Sequence, residues 1–534
     1  MLAVRRRRWP TLLLGFCAIA YLVVRLREGP QDGPAYSYEP GQHPLDDPYA
    51  VLAEIPEPPP AVVLSQQQQP QQKHKEPAPP PVQAEEQAPL VPKPASHLDL
   101  AKLPSSLYPP EVIGWNEDHW KKPSEADYSR MYKCLQADDC VSAPNRRKVV
   151  LVASMYFRHG LGGEVGGEEI WAVSVAEALE KSGYTVIHVE TLAQLVEKYQ
   201  LFPQLVKIAI LGDGEVFDCW KDTKNCLQSD ENPNGIPGYK LISFCFWTWP
   251  RHPLGPRWVI SPEPYNEIKT PGEMRSDNRY IGYSIEKTCN ATKYIPANER
   301  PLDPSHAWLL AKLIAYFYPE RDFVWSKKML DEIAVEAGVV YTMASHHSPH
   351  PPTPEDVEKA ALYLPDESHY INHYFLRQAE WLEQLAQARM VIGIGNPVNS
   401  PTPWNALCLG VPFINVILSW DHAHPNDRTW WRTQHPIAAL LDAPYVYNVR
   451  AGDKKGLMAA VKAAVANPIE RFVPESMTLP SIQARLAELV DNDWEAEQED
   501  LFRTCRGPCG CTEPCDARYY DIQWPGGFPG APGA

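Results

Sequence analysis

The chain has 534 residues, of which 44% are hydrophobic, so it is long enough for two or three domains with sizeable cores. Its formal net charge of −16 argues against a nucleic-acid backbone as partner, because phosphate binding needs clustered Lys and Arg. The 56 prolines indicate long stretches that do not fold.

The amino-terminal residues predict a membrane anchor. Four arginines end a short cytosolic tail, 1–8, and an apolar run follows over 9–24. A cleaved signal peptide is the alternative, but Arg25 and Arg27 stand where a small-residue cleavage site would be needed. The run is short for a span, which takes roughly 17–25 apolar residues, and short spans suit the thinner early-secretory membranes. Because the larger positive cluster should stay in the cytosol, we expect a type II signal anchor with a lumenal body.

Pro- and Gln-rich sequence follows the anchor. Residues 25–120 show no apolar periodicity and include the run QQQQPQQ, so we interpret them as an extended, disordered stem. At the other end, residues 501–534 form a Cys-rich segment with a flexible tail ending in GGFPGAPGA.

Between these segments, strand and helix patterns alternate. Apolar runs predict strands, and apolar residues at helical spacing predict helices. The predicted strands are 148–156, 185–190, 206–212, 339–345, 391–395 and 412–417, and the predicted helices are 170–184, 192–199, 307–318, 381–390, 454–468 and 482–492. This alternation predicts two α/β domains with parallel, doubly wound sheets, at 121–286 and 287–500. Such sheets bind ligands at the carboxyl ends of their strands, so two facing domains would form a cleft.

A glycine-rich loop, 158–169, follows the first strand. It fails as a dinucleotide fingerprint because Val165 stands in the sixth position counted from Gly160. Gly162 and Gly163 would still let the backbone approach a ligand closely. Three carboxylates lie at the mouth of the next helix: Glu164, Glu168 and Glu169. They either complement the helix dipole or supply a general base for a substrate hydroxyl.

The 393–407 turn, GIGNPVNSPTPWNAL, joins a predicted strand to a predicted helix. A strand that ends in Gly393-x-Gly395 before a helix offers free N–H groups and a positive dipole end to phosphate. Ser400 and Thr402 would add hydroxyl donors or cap the helix. The alternative is a tight turn that holds no ligand.

Metal binding has weak support. Asp491-Asn492-Asp493 matches a DxD pattern for metal-bound nucleotide, but a solvated helix end explains it better. The tail cysteines could be interpreted as zinc ligands, although their spacing is not a standard zinc pattern and a lumen favours disulfides. These are Cys505, Cys509, Cys511 and Cys515, whose pairing the sequence leaves open.

The other cysteines fit an oxidising lumen. Cys134 with Cys140 and Cys219 with Cys226 are predicted local bridges, and Cys245 with Cys289 is the residual pair. Cys17 lies in the anchor, and we expect Cys408 to be a buried thiol in an apolar helix, 404–409. Asn290-Ala291-Thr292 is the glycosylation sequon, used only at a lumenal address.

Five blocks of the sequence together resemble a known protein family. They are GGEEIWAVSVAEAL, SPEPYNEIKTPG, DNRYIGYSIE, ARMVIGIGNPVNSPTPWNALCLGVPFIN and TQHPIAALLDAPYVYNV, spread over roughly 148–478. In these blocks the chain resembles glycosyltransferase family 18, the α-1,6-mannosylglycoprotein 6-β-N-acetylglucosaminyltransferases. The resemblance implies a GT-B fold and inverting, metal-independent transfer of N-acetylglucosamine. The donor would be UDP-GlcNAc, the acceptor the 6-hydroxyl of a mannose on N-glycans, and the place the Golgi membrane.

The resemblance also assigns roles. Glu168 would be the catalytic base, and helix-end amides from Ser400 to Asn405 would stabilise the departing diphosphate. Asn399 and Asn405 depart from the family, which has glutamates there, and an Asn accepts hydrogen bonds with one oxygen only. His435 matches a family block, and we expect a packed histidine that positions its neighbours. The departures leave two alternatives open: a related Golgi transferase with another donor or acceptor, and a catalytically silent GT-B protein that binds glycans.

Overall fold

The structure is a computed structural model that describes residues 100–108, 118–137, 139–248, 252–270, 275–301, 305–348 and 350–504. The predicted anchor at 9–24 and the cysteines of 505–534 lie outside these residues. Among the described helices, none is both long enough and apolar enough to cross a bilayer.

Thirteen strands are defined in the described residues. They are β1 (Val149–Val152), β2 (Thr185–His188), β3 (Val206–Gly212), β4 (Leu241–Phe244), β5 (Val259–Ser261), β6 (Arg279–Tyr280), β7 (Ser305–Leu309), β8 (Val339–Met343), β9 (Tyr370–Asn372), β10 (Met390–Ile392), β11 (Phe413–Trp420), β12 (Trp431–Thr433) and β13 (Val446–Arg450).

Thirteen α-helices accompany them. They are α1 (Asp118–Ala137), α2 (Met155–Leu161), α3 (Gly167–Lys181), α4 (Leu192–Leu201), α5 (Asp213–Lys221), α6 (Glu286–Ala291), α7 (Lys327–Ala337), α8 (Pro354–Tyr363), α9 (Gln378–Gln387), α10 (Thr402–Cys408), α11 (Lys454–Ala466), α12 (Leu479–Asp491) and α13 (Trp494–Thr504).

The first sheet has the strand order β2-β1-β3-β4-β5-β6, and all its pairs are parallel. The residues of β1 are buried throughout, as expected for a strand covered on both faces. Helix α3 packs on this sheet through Trp171, whose ring stacks on Phe244 of β4 with centroids 3.7 Å apart.

The second sheet has the order β12-β11-β10-β7-β8-β9, with β13 also paired to β11. Its pairs are parallel except β11 with β12, which is antiparallel. These two mainly parallel sheets with their helices confirm the α/β part of the predicted fold class.

The ends of the body differ from the prediction. Leu103 and Leu107 are buried and Tyr108 donates a hydrogen bond to the carbonyl of His188, so residues 100–108 belong to the folded body and not to the predicted stem. The last two helices return to the first sheet: Arg485 of α12 donates to the carbonyl of Ile281, and Trp494 of α13 packs against Trp258. The predicted division places these helices with the second domain, 287–500, whereas they pack against the first, 121–286.

One predicted helix is wrong. Residues 307–318 form the end of β7, an extended link and a 3₁₀ turn at Ile314–Phe317. Strand β7 lies between β8 and β10, and four of its five residues are buried. Its apolar run is therefore that of a buried strand and not of an amphipathic helix.

The disulfides confirm two predicted pairs and correct the third. Cys134 pairs with Cys140 and Cys219 with Cys226. Cys289 pairs with Cys408, so the predicted buried thiol at Cys408 and the predicted Cys245–Cys289 bridge are both wrong. This disulfide joins α6 to α10, a contact between segments 119 residues apart that local spacing does not reveal.

Candidate functional site

Both loops singled out in the sequence follow strands at which the sheet order reverses. In the first sheet the chain runs outward in opposite directions from β1 and β3, and in the second sheet from β7 and β10. The 393–407 turn follows β10 directly, whereas 158–169 follows β1 through α2. The predicted strand 148–156 ends at Val152, and of the predicted loop only 162–166 lies outside α2 and α3. In open α/β sheets, ligands bind in the crevice beyond the carboxyl ends of strands at this switch point.

The two candidate bases at the start of α3 have different environments. Glu168 and Glu169 lie in its first turn, Glu168 half-buried and Glu169 buried. The Glu169 carboxylate folds back over the start of the helix, where a Cβ on Gly166 would overlap its Oε2. Burial raises the pKa of Glu169, and the nearby charges of Glu168 and Glu164 raise it further. Glu169 therefore serves the helix end, which leaves Glu168 as the more accessible carboxylate.

Glu168 lies close enough to tyrosines of both sheets to affect their pKa values. Burial raises the pKa of Tyr156, Tyr265 and Tyr316, and the negative charge of Glu168 contributes to each shift. Tyr156 lies in α2, after β1 of the first sheet, whereas Tyr316 lies after β7 of the second sheet. Glu168 is thus placed at the boundary between the two sheets.

The two loops touch beside Glu168. A Cβ on Gly167 would lie 3.4 Å from Cδ of Pro401 and 3.1 Å from Cζ of Phe246. Pro401 immediately precedes α10, so the helix that begins with Glu168 in its first turn abuts the start of the helix in the 393–407 turn. The structure brings the predicted base and this turn together.

Gly393 and Gly395 have a packing role in the turn. A Cβ on Gly393 would overlap Oε1 of Gln434, and one on Gly395, whose φ is +114°, would overlap the carbonyl of Asp322. The N–H of Gly395 donates to Gln434 Oε1, and Gln434 Nε2 donates to the carbonyl of Pro397. Their predicted contact with substrate stays a prediction, whereas Gly162 and Gly163 are exposed at the mouth of the other loop.

The hydroxyls of the turn act locally. Ser400 Oγ donates to Thr402 Oγ1 at 3.0 Å and accepts from the Thr402 N–H at 3.3 Å. Ser400 precedes the N-cap residue, Pro401, and no side chain caps the helix, so this is a local turn and the predicted capping role is wrong. Both side chains are half-buried, so their predicted second role as donors to a ligand remains open to test.

The two asparagines that depart from the family differ from each other. Asn399 adopts a left-handed conformation with φ of 56°, which Asn tolerates better than Glu does. Its side chain is 2% exposed, and within the described residues its Oδ1 has no hydrogen-bond partner. Asn405 instead donates from Nδ2 to the carbonyl of Pro401 at 3.3 Å, a bond that a glutamate could not donate.

His435 lies in a buried polar cluster with a carboxyl group that the sequence did not point to. Glu263 follows β5 and is 1% exposed, and its Oε1 accepts a 2.8 Å hydrogen bond from the indole N–H of Trp404 in α10. His435 Nε2 lies 3.9 Å from the same oxygen, and its ring meets that of Trp404 edge-on. Glu263 stands between two prolines in a familiar block, which was the signal available for it. The expectation that His435 is packed agrees with its burial.

Two clusters of residues are candidates for binding a metal ion. His159, Glu164 and Glu169 place one ligand atom each within 4.8 Å of one another, beside the predicted base. Asp491 ends α12 and pairs with Lys148 at 2.6 Å, and Asp493 accepts from the Ala496 N–H in α13. The DxD sequence thus lies at helix ends. The prediction that the protein needs no metal stays a prediction.

Similarity to known proteins centres on the second sheet. Residues 272–517 match the model of glycosyltransferase family 18. An α-1,6-mannosylglycoprotein 6-β-N-acetylglucosaminyltransferase of Caenorhabditis elegans is 25% identical over 167 residues, covering 28% of this chain and 25% of that protein. The A form from Cricetulus griseus is 20% identical over 44% of this chain and 30% of its own length. The human B form is 27% identical over 22% of this chain and 16% of its own length.

The chain therefore spans less than a third of the length of each of these relatives. Among solved structures, an Anabaena protein crystallised with UDP and glucose matches 65% of this chain and 99% of its own at 12% identity and a TM-score of 0.40. A trehalose-6-phosphate synthase matches 66% of this chain and 98% of its own at 10% identity and a TM-score of 0.37. Likenesses at these scores carry no weight for function. The resemblance to glycosyltransferase family 18 is thus confirmed by the family model, which matches residues 272–517, and by these relatives.

Proposed function

We propose that the protein is an inverting glycosyltransferase of GT-B type that transfers N-acetylglucosamine from UDP-GlcNAc to the 6-hydroxyl of a mannose on N-glycans. The observation that carries the proposal is the position of Glu168. It lies in the first turn of α3, where Gly167 abuts Pro401 of the 393–407 turn. A carboxylate beside the turn that would hold the donor is the arrangement that direct displacement requires.

In the proposed reaction, Glu168 accepts the proton of the mannose 6-hydroxyl as that oxygen attacks the anomeric carbon of the donor. The bond from the anomeric carbon to the diphosphate oxygen breaks, and UDP leaves with the bonding pair. The sugar is inverted because the oxygen attacks opposite the leaving group. Glu168 is half-buried, so it is open to the acceptor hydroxyl.

The 393–407 turn would hold the donor. Ser400 and Thr402 flank Pro401, the residue that Gly167 contacts, and oriented donors there would stabilise the diphosphate as it leaves. The Oδ1 of Asn399 is a buried acceptor without a partner in the described residues, so a donor hydroxyl or amide N–H would satisfy it. This transfer needs no metal in the proposal.

A second candidate is a catalytically silent protein that binds glycans. The observation in its favour is Asn405, whose amide is turned back onto the carbonyl of Pro401 where the family has a carboxylate. A transferase with another donor sugar would be explained by the same change.

For the location, we propose a single-pass type II protein of the Golgi membrane with its body in the lumen. Support comes from the apolar run at 9–24 with its flanking arginines, and from three disulfides, which form in oxidising compartments. The sequon at Asn290 fits the same address: Asn290 is exposed on α6, although its Oδ1 accepts from Arg471.

The test is transfer by the full chain from a panel of UDP-sugars to a mannose-terminated N-glycan, with and without EDTA. A matched acceptor with 6-deoxymannose at the reacting position is the control. We expect transfer from UDP-GlcNAc that EDTA does not abolish and that the deoxy acceptor does not support. Transfer of another sugar would identify a related enzyme, transfer to the deoxy acceptor would exclude the 6-hydroxyl, and glycan binding without any transfer would favour the silent protein.

A further inference from the structure

Glu263 connects the two sheets through a buried hydrogen bond. It follows β5 in the first sheet, yet its Oε1 accepts from the indole N–H of Trp404, the third residue of α10, at 2.8 Å. The hydroxyl of Tyr283 lies 3.4 Å from the same oxygen. Trp404 and Tyr283 are themselves buried, so the bond is shielded from water.

His435 completes the cluster from the other side. Its Nδ1 accepts the N–H of Ala438 at 3.2 Å, so the proton of the neutral imidazole sits on Nε2, which faces Glu263 Oε1 at 3.9 Å. The ring packs edge-on against Trp404 with centroids 5.1 Å apart. The backbone of Ser400 acts to raise the pKa of His435, so the ring lies near the 393–407 turn as well as against Trp404.

Both titratable groups are uncharged near neutral pH. Burial raises the pKa of Glu263 to about 8, against the opposing effect of the hydrogen bonds from Trp404 and Tyr283. Burial lowers the pKa of His435 to about 3. A neutral carboxylic acid keeps a carbonyl oxygen that accepts hydrogen bonds, and a glutamine side chain would offer the same acceptor.

We propose that Glu263 is a positioning residue for sugar transfer, one that holds the 393–407 turn against the sheet carrying Glu168 through its contacts with Trp404 and His435. The effect of Glu263 on transfer rests on the proposed function, whereas its role in positioning α10 is independent of that function. The Oε1 of Glu263 is already engaged by Trp404 and Tyr283, so Glu263 acts through the residues that it holds. The hydrogen-bonding oxygen is what matters, and not a negative charge.

The test compares Glu263→Gln, which keeps the acceptor, with Glu263→Ala, which removes it, in the full chain. Glu267→Gln is the matched control, because Glu267 is an exposed glutamate four residues away. Three quantities are measured: the donor KM and kcat with UDP-GlcNAc, the Kd for UDP, and hydrogen exchange of the amides in 402–409.

Loss of one buried hydrogen bond corresponds to about tenfold in an equilibrium constant. For Glu263→Ala we therefore expect the donor KM and the Kd for UDP to rise about tenfold, with a smaller change in kcat. We expect exchange at 402–409 to be about tenfold faster. Glu263→Gln and Glu267→Gln should stay within about twofold of the wild type in all three quantities.

Trp404→Phe removes the same hydrogen bond from the other partner and should reproduce the Glu263→Ala values, which covers the case in which Glu263→Ala does not fold. The proposal is overturned if Glu263→Gln loses donor binding as Glu263→Ala does, or if neither Glu263→Ala nor Trp404→Phe changes it. If the wild type neither binds UDP nor transfers sugar, the proposed function fails. Exchange at 402–409 then still decides the role of Glu263, because unchanged exchange in Glu263→Ala and Trp404→Phe would overturn it.

Discussion

Gly167 lies directly against Pro401, so that the first residue of α3 meets the residue before α10. The contact joins the loop after β1 to the turn after β10, each at the point where the strand order of its sheet reverses. Glu168, the next residue, is thereby fixed beside the turn. The spacing between these two segments sets the distance between Glu168 and a donor held by the 393–407 turn.

We expect Gly167→Ala to weaken this contact. Its Cβ would lie 3.1 Å from Phe246 and 3.4 Å from Pro401, so one of the loops must move by a few tenths of an ångström. Overpacking of this kind costs about 1 kcal/mol or more in the free energy of unfolding, and the displacement should lower kcat for transfer. Gly214→Ala is the control, since a Cβ there meets nothing within 4 Å. Urea unfolding and initial rates measure both effects, and equal behaviour of the two variants would contradict the prediction.

Asn399→Gly tests the buried acceptor of the turn. Gly adopts the φ of 56° without strain, so the fold should be kept while Oδ1 is removed. If Oδ1 accepts from the donor, the KM for UDP-GlcNAc should rise about tenfold. Tyr374→Gly is the matched control, because Tyr374 has a φ of 57° and is exposed. A donor KM that is unchanged in Asn399→Gly would remove Asn399 from the donor site.

The disulfide between Cys289 and Cys408 should stabilise the protein more than the local bridge between Cys219 and Cys226. It closes a loop with a sequence separation of 119 instead of 7. The loop-closure model predicts that the double Cys→Ala variant of the long bridge loses about 2–3 kcal/mol more in the free energy of unfolding than that of the short bridge. Denaturant unfolding of the two double variants measures the difference. A smaller loss for the long bridge would show that the residues around α6 and α10 hold together without it.

The buried carboxyl of Glu263 predicts a dependence of stability on pH. Its folded pKa of about 8 lies above the ordinary value of 4.5, so between these values the folded state holds a proton that the unfolded state has released. Its contribution to stability is full below pH 4.5 and is lost as the pH rises through 8. His435 faces the group directly, and Glu267, Tyr265, Tyr280 and Tyr283 are its other ionisable neighbours.

From pH 6 to pH 8 the wild type should therefore lose about 2 kcal/mol in the free energy of unfolding relative to Glu263→Gln. The buried histidines act in the opposite direction. His188, His252 and His435 have pKa values lowered by burial to about 3, so their contribution is lost as the pH falls below 6.5. They are present in both proteins, so the comparison isolates Glu263. Parallel stability curves for the two proteins would contradict a neutral Glu263.

The sequence predicted the fold best where its signals are local. Strand β3 coincides with the predicted 206–212, and α12 contains almost all of 482–492. The helix predicted at 307–318 failed because a short apolar run does not distinguish a buried strand from a helix. What decides it is the pairing of β7 with β8 and β10, which come later in the chain.

The residues of the site were likewise predicted only where the local sequence indicates them. The glycines and carboxylates of 158–169 and the turn at 393–407 could be found because each lies next to a strand end. Glu263 was missed although it lies in one of the family blocks, since a glutamate between Pro262 and Pro264 has the local sequence of an exposed loop. Its hydrogen-bond partner in the buried cluster, Trp404, is 141 residues away. The pairing of Cys289 with Cys408 was missed for the same reason.

The most direct test of the proposed function is the transfer rate of Glu168→Gln in the full chain, measured beside Glu164→Gln with UDP-GlcNAc and a mannose-terminated N-glycan. Glu164 lies in the same loop and is exposed, so it controls for the loss of one negative charge nearby. We predict that Glu168→Gln lowers kcat by about 10²–10⁴-fold while the Kd for UDP is kept, and that Glu164→Gln stays close to the wild type. Full activity of Glu168→Gln would contradict the assignment of the base and, with it, the mechanism proposed for this site.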